Sequence, residues 1–342
     1  MRPITMTAVT LLALLGFTPA GSAQEYPRLE LRFGHFTPPR PTHAQVDQWF
    51  AEELEKRSGG RITMKIYWGE AVGKAQELIK LTAQGAIDVS AVPPAYFPAQ
   101  LPLLAATNSL PLTMASAREA QAVSHTLWQE IPAMREEARR ANVWPLFFHV
   151  LNPYHLLCTK PIRTLDDLKG KKMRSWGEDI PRVWQAVGAV PVTVLPGEFY
   201  ESLQRGSVDC MLLSWDLLAA FKLHDVAKYA STISFGAIIS NPQWYNLKKW
   251  ESFPPHVKKL FTELADEAKR LDLAKVEQAE RDAVEAMKAA GVEFIEFQDQ
   301  AKFEKHLPDF LSDWVKRMEK IGKGLEAQAM ADRWREIRRK GK

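Results

Sequence analysis

The residues best placed to do chemistry are Arg174 and Trp176, two positions apart in MRSWG at the end of a short strand expected at Lys172–Ser175. In an extended strand such a pair shares one side. A guanidinium is a rigid fork that matches a carboxylate with two hydrogen bonds, and it stays charged when stripped of water. At a strand end it can reach a ligand in a cleft; an ordinary surface arginine is the alternative. Phe36, Trp68, Tyr96 and Trp215 add aromatic surface that serves either a cleft wall or a core. Asp216 reads as a helix-start carboxylate or as a partner for a metal ion bridging a hydroxy or keto acid.

Catalytic signatures are missing from the chain. There is no G-x-G-x-x-G after a strand, no P-loop, no G-x-S-x-G elbow and no H-E-x-x-H. Glu136-Glu137 and Asp166-Asp167 fall in helical contexts and read as solvated charged faces. Lys and Arg number 45 against 41 Asp and Glu, a net charge of +4. That excess is too small for a nucleic-acid-binding face. With 46% hydrophobic and 25% charged residues over 342 positions, the chain suits a folded protein of about two domains.

The elements that must position these side chains follow from periodicity. LELRFGHF alternates and predicts a strand; Val46, Trp49, Phe50 and Leu54 recur as in a helix that Gly59-Gly60 stops. Further strands are expected at Ile62–Ile66 and from Ile87, with a helix at Leu78–Leu81 between them. This βαβα order predicts a parallel sheet covered by helices. Pro93–Pro111, with five prolines and no period, reads as a long surface connection. Ser116 and Glu119 form a capping box for a helix expected to reach Asn142, before a buried strand at Val143–Val150. A second βα set then runs through His155–Cys158, Lys172–Ser175, Val192–Val194 and Val208–Leu213. From Pro255 to Gly291 no Gly or Pro interrupts a helical pattern. At 1.5 Å per residue it would exceed about 50 Å, so it reads as a strut across two lobes. A strand near Val292–Phe294 and two helices end the chain. The tail after Ala331 carries six Lys/Arg against two acids and reads as a solvated helix end.

The fold expected is therefore α/β, a hinged two-lobed clamshell with a lobe-spanning helix. Lobe 1 is assigned residues 24–152 plus about 241–285, and lobe 2 residues 153–240 plus about 286–342. Ligands of open α/β sheets bind beyond the carboxyl ends of the strands and at domain junctions.

Residues 1–23 read as a signal peptide: Arg2, an apolar run from Thr7 to Phe17 too short to span a bilayer, and small residues Gly21 and Ala23 before a cleavage site. The mature chain is expected to be exported and periplasmic. Cys158 and Cys210 would then meet an oxidising compartment, either paired or as two buried thiols.

The stretch Leu168–Ala230 resembles the DctP-type solute-binding subunits of TRAP (tripartite ATP-independent periplasmic) transporters. The matching elements are Asp167-Leu168, Lys169-Gly170, Met173-Arg174, Gly188-Ala189, Pro191, Glu198, Tyr200, Leu203-Gln204, Gly206 and Val208-Asp209. Val226, Lys228 and Tyr229 follow, and Gly85-Ala86-Ile87-Asp88 agrees in the first half. The resemblance implies a non-enzymatic periplasmic binder of organic acids that serves a sodium-driven permease of small and large membrane subunits. It implies no cofactor, and it places the carboxylate clamp at Arg174. Two departures stand out. The polar contact expected near Leu213 is missing, with Ser214, Trp215 and Asp216 next in line. The family's arginine in the strand after the crossover has no counterpart; the nearest candidates are Asn152, Tyr154 and His155. One arginine among aromatics points to an aromatic or apolar monocarboxylate rather than a dicarboxylate. The rival readings are a receptor for an ATP-driven importer or sensor, and a periplasmic enzyme acting on carboxylates.

Overall fold

A computed structural model describes residues 25–340; the expected signal peptide lies outside the described residues. In chain order the strands are β1 (Leu29–His35), β2 (Ile62–Tyr67), β3 (Val89–Ala91), β4 (Val143–Val150), β5 (His155–Cys158), β6 (Lys172–Ser175), β7 (Val190–Thr193), β8 (Cys210–Leu213), β9 (Tyr229–Ser231), β10 (Ile239–Asn246) and β11 (Glu293–Ile295). They form two sheets, ordered β2-β1-β3-β10-β4 and β11-β9-β5-β8-β6-β7. β1, β2 and β3 run parallel, with β10 antiparallel to β3 and β4. In the second sheet β5 is antiparallel to its neighbours β8 and β9, while β6 is parallel to β7 and β8.

The chain crosses between sheets after β4 and returns before β10. These crossings pair with each other. Leu151 donates to the Ile238 carbonyl (3.0 Å), Tyr154 to that of Gly236 (2.9 Å), and Phe235 to that of Tyr154 (3.0 Å). Gly236 is needed here: its φ is +75°, and a Cβ would sit 2.5 Å from the Met114 carbonyl oxygen. The helix Pro255–Ala289 makes the expected strut, 35 residues without a break.

Five sequence expectations change. The helix after Ser116 does not reach Asn142. It ends at Glu130, and a second runs Pro132–Arg140, because Pro132 has no N–H to continue the ladder. The Pro93–Pro111 segment is not a surface connection: Leu101, Leu103, Leu104 and Leu110 are fully buried. Glu137 is the reason. Its carboxylate accepts from the backbone N–H groups of Leu103 and Leu104 at 2.9–3.0 Å, so it is a buried anchor and not part of a solvated face. Three helices, not two, end the chain: Gln300–His306, Phe310–Lys320 and Gly324–Lys340. The last is docked. Trp334 is buried and donates to the Thr113 carbonyl, Arg333 pairs with Glu130 at 2.6 Å, and Arg338 pairs with Glu119 at 3.0 Å. The assigned second lobe thus ends with a helix lying on the first.

A buried polar chain holds the first lobe. His149 donates from Nδ1 to Asp272 (2.8 Å) and from Nε2 to Asp47 (3.0 Å). Asp47 also accepts from His35 Nε2 (3.2 Å) and from Gln243, and Asp272 accepts from the Val150 N–H (2.8 Å). All four charged or imidazole side chains are inaccessible to water. The links join β1, β4, β10, the helix Thr42–Arg57 and the long strut. Burial opposes charging His149, but the flanking Asp47 and Asp272 outweigh it and raise its pKa to about 10.

Asp272→Ala should cost about 3–5 kcal/mol in urea unfolding, because it leaves a buried imidazolium short of its counter-charge; a cost under about 1 kcal/mol would deny the network that role. The His149 contribution is complete below its ordinary pKa of 6.5 and is lost as pH rises through about 10. The stability gap between wild type and His149→Gln should therefore narrow from pH 6.5 to 10.

Cys158 and Cys210 stand opposite each other on β5 and β8 and are joined in a disulfide, so the pairing left open by the sequence is resolved. Replacing both by serine should lower stability by about 2–4 kcal/mol, read against the oxidised wild type.

Candidate functional site

The carboxyl ends of β1, β3, β6 and β8, the starts of β5 and β10, and the two crossings surround a cavity of about 390 Å³ including its mouth. Arg174 comes from β6, where Met173, Arg174 and Ser175 are all buried. Its backbone is held by Trp184, whose indole N–H donates to the Arg174 carbonyl at 3.0 Å. Only 3% of Arg174 is exposed. Nε donates to the Val194 carbonyl (3.3 Å) and Nη1 to the Leu212 carbonyl (3.1 Å). The guanidinium lies 4.0 Å from the ring centre of Trp176 and 4.8 Å from that of Phe199. Among the described residues no carboxylate stands within ion-pair distance of it.

Burial lowers the Arg174 pKa, and the hydroxyls of Tyr96 and Tyr154 beside it work the other way. Burial pushes the Tyr96 hydroxyl up to about 12 and raises that of Tyr154, so both are neutral donors and acceptors. Among the described residues Arg174 is the one permanent charge in the lining.

Five residues expected at the cleft meet there: Phe36, Tyr96, Tyr154, Arg174 and Trp176. Trp68, Asn152, Ser214 and Trp215 stand outside the lining. Trp68 packs behind it on the ring of His35, 4.7 Å between centres. Asn152 spans to the strut, donating to the Val276 carbonyl (2.8 Å) and to Asp216 (3.3 Å). Ser214 is buried ahead of the helix Trp215–Ala220. That helix turns Trp215 away, where it stacks on His155 at 4.4 Å and meets Phe294 edge-on. Asp216 faces Glu280, whose carboxylate accepts from the Asp216 N–H. Burial and the Asp216 charge push the Glu280 pKa up to about 8. Among the described residues no third His, Cys, Asp or Glu joins the pair to hold a metal ion.

Sequence reasoning missed most of the first lobe's polar wall. Thr37, His43, Asn108 and Ser240 line the cavity. Two signals were available: the histidine in PRPTH at a helix start, and an asparagine within an otherwise apolar stretch. Leu213 also lines the cavity, with Phe199, Leu217 and Phe221. The position that departs from the family pattern therefore belongs to the wall, as an apolar surface.

Two lobes closing on a buried cation, lined by neutral and aromatic groups, define a small-molecule receptor. The family described as bacterial extracellular solute-binding protein, family 7 (DctP), matches residues 33–316, and the chain belongs to it. A solute-binding protein of Albidiferax ferrireducens is 23% identical over 255 residues, covering 73% of this chain and 74% of its own. Two solved structures share the fold. A TRAP periplasmic solute-binding protein from Desulfovibrio salexigens with bound orotic acid superposes with a TM-score of 0.79 at 24% identity, covering 90% of this chain and 99% of that one. A Bordetella pertussis extracytoplasmic solute receptor binding pyroglutamic acid gives 0.79 at 18% identity, with 89% and 99% covered. The family is one of transport receptors rather than enzymes, and solved structures with the same fold include proteins described as TRAP periplasmic solute-binding proteins.

Trp176 stacks directly on the guanidinium that would meet an anion. Carboxylate binding should therefore change the intrinsic fluorescence, and Trp176→Phe should abolish most of that change. A full signal in the variant would assign it to other tryptophans.

Proposed function

We propose that the cavity takes a small monocarboxylate with a flat apolar or aromatic body. Arg174 grips its carboxylate while the lobes close, and the loaded receptor then meets the small and large permease subunits in the membrane. The observation that carries this reading is the buried guanidinium bedded on Trp176 and Phe199 with no protein carboxylate to neutralise it. A buried cation without a counter-charge is costly, and a ligand anion removes that cost. A second carboxylate would find no second permanent cation in the lining. Phe36, Leu213, Leu217 and Phe221 make part of the wall apolar, which favours an apolar body against them. The orotic acid and pyroglutamic acid bound by structural neighbours are small cyclic acids, and other neighbours hold glucuronate or galacturonate, so they support a small organic acid without selecting an apolar body.

Calorimetric titration with acids found by thermal-shift screening tests this. Arg174→Ala should weaken binding about 30-fold to several thousand-fold, as removing one partner of a buried pair does. Arg174→Lys should restore only part, since an ammonium cannot make the fork. Equal affinities in all three proteins, or stabilisation by succinate and malate in preference to aromatic acids, would refute the reading.

A further inference from the structure

Two buried polar atoms on the first-lobe wall have no protein partner: Asn108 Oδ1 and His43 Nδ1. Both residues line the cavity, and they are 3% and 2% exposed. Buried polar atoms are normally hydrogen-bonded, and leaving one unmet is costly.

The role of each atom follows from its surroundings. The Asn108 amide nitrogen lies 2.7 Å from the Ile239 carbonyl and 3.1 Å from the Ser240 carbonyl. Carbonyls only accept, so the nitrogen is fixed on that side and Oδ1 is the remaining group, an acceptor. His43 is resolved through its neighbours. His35 donates from Nε2 to Asp47, so its Nδ1 is unprotonated and accepts the Thr37 backbone N–H at 3.1 Å. With that lone pair in use, the Thr37 hydroxyl proton goes to His43 Nε2, 3.3 Å away. A neutral imidazole protonated at only one nitrogen then carries its proton on Nδ1. Burial, with His35 and His149 nearby, holds His43 well below its ordinary pKa and thus neutral.

We infer that the first-lobe wall reads a second feature of the ligand: a hydroxyl or amide group that donates to Asn108 Oδ1 and accepts from His43 Nδ1. This rests on the proposal that Arg174 holds the carboxylate and narrows its ligand class. The ligand is a hydroxy acid or a cyclic amide acid, with the carboxylate on the second lobe and the neutral polar group on the first. A purely hydrocarbon acid would fill the volume and leave both atoms unmet. The three polar contacts come from both lobes, so only a ligand bearing both features joins them.

Matched acids test this on the mature protein by calorimetric titration. The pairs are cyclopentanecarboxylate with pyroglutamate, and benzoate with its ortho-, meta- and para-hydroxy derivatives. In the wild type the polar member of at least one pair should bind about tenfold to a hundredfold more tightly than its apolar match. In Asn108→Ala that ratio should fall to within about twofold of unity, through loss of affinity for the polar member alone. His43→Phe keeps the ring that stacks near Phe36 and removes the nitrogens, and it should shrink the same ratio; it stands in if Asn108→Ala does not fold by thermal melting. Arg174→Lys should instead weaken both members of a pair alike. An unchanged ratio in folded Asn108 and His43 variants overturns the inference. So does a wild type that prefers the apolar member, or that binds neither member of any pair. Arg174→Lys binding both members at wild-type affinity would overturn the carboxylate reading itself, whatever the ratio.

Discussion

The site depends on one constraint: a guanidinium placed out of water with no protein charge to neutralise it. Desolvating Arg174 is tolerable only because the surroundings supply partial charge. Val194 and Leu212 offer carbonyl oxygens, and Trp176 and Phe199 offer aromatic faces. These partners come from the ends of neighbouring strands and the turns after them. The parallel pairing of β6 with β7 and β8 aligns those ends on one side. Even so, two carbonyls and two rings leave the charge itself unbalanced.

The opposite wall is built on a different principle. The first lobe is locked from within by His149 between two carboxylates, and the chain of hydrogen bonds runs from Asp272 on the strut through His149, Asp47 and His35 to the Thr37 N–H, and from the Thr37 hydroxyl to His43 at the cavity. Charge is confined to the interior end of that chain. At the cavity it has become neutral: a hydroxyl and a neutral imidazole. The lobe thus presents fixed polarity without competing for the ligand's anion. A carboxylate exposed on this wall would have paired with Arg174 and filled its role.

How much of this could be read from the sequence depends on how local each signal was. Arg174 stood out through its place in the family's motif at the end of a short strand, and Trp176 followed from strand alternation. The two-sheet architecture and the strut were legible in the periodicity. Asn108 was hidden because the Pro93–Pro111 segment has no period; its burial comes from Glu137, whose carboxylate gathers the Leu103 and Leu104 amides from 33 and 34 residues away. Trp215 illustrates the opposite error. Its position after a strand was right for a cleft, but it opens a helix, and the helical turn sends the ring to His155. The disulfide was undecidable from spacing, because only the antiparallel register of β5 and β8 sets the two cysteines face to face.

If Arg174 holds the ligand's carboxylate, as proposed, the same unbalanced charge would also act as a gate. With the lobes apart, water can solvate Arg174; bringing them together removes that water. Closing on nothing, or on a neutral solute, leaves the desolvation cost unopposed. Closing on a carboxylate replaces water with a bidentate, charge-assisted pair that is stronger in the dry cavity. On that reading a carboxylate would shift an open–closed equilibrium through its differential interaction with the two states, the only route by which a ligand can do so. The crossings between the sheets are short paired segments near Gly236, while both lobes are braced, one by the disulfide between β5 and β8 and the other by the His149 network. Stiff lobes and a charge that tolerates burial only when paired are together sufficient to couple occupancy to shape.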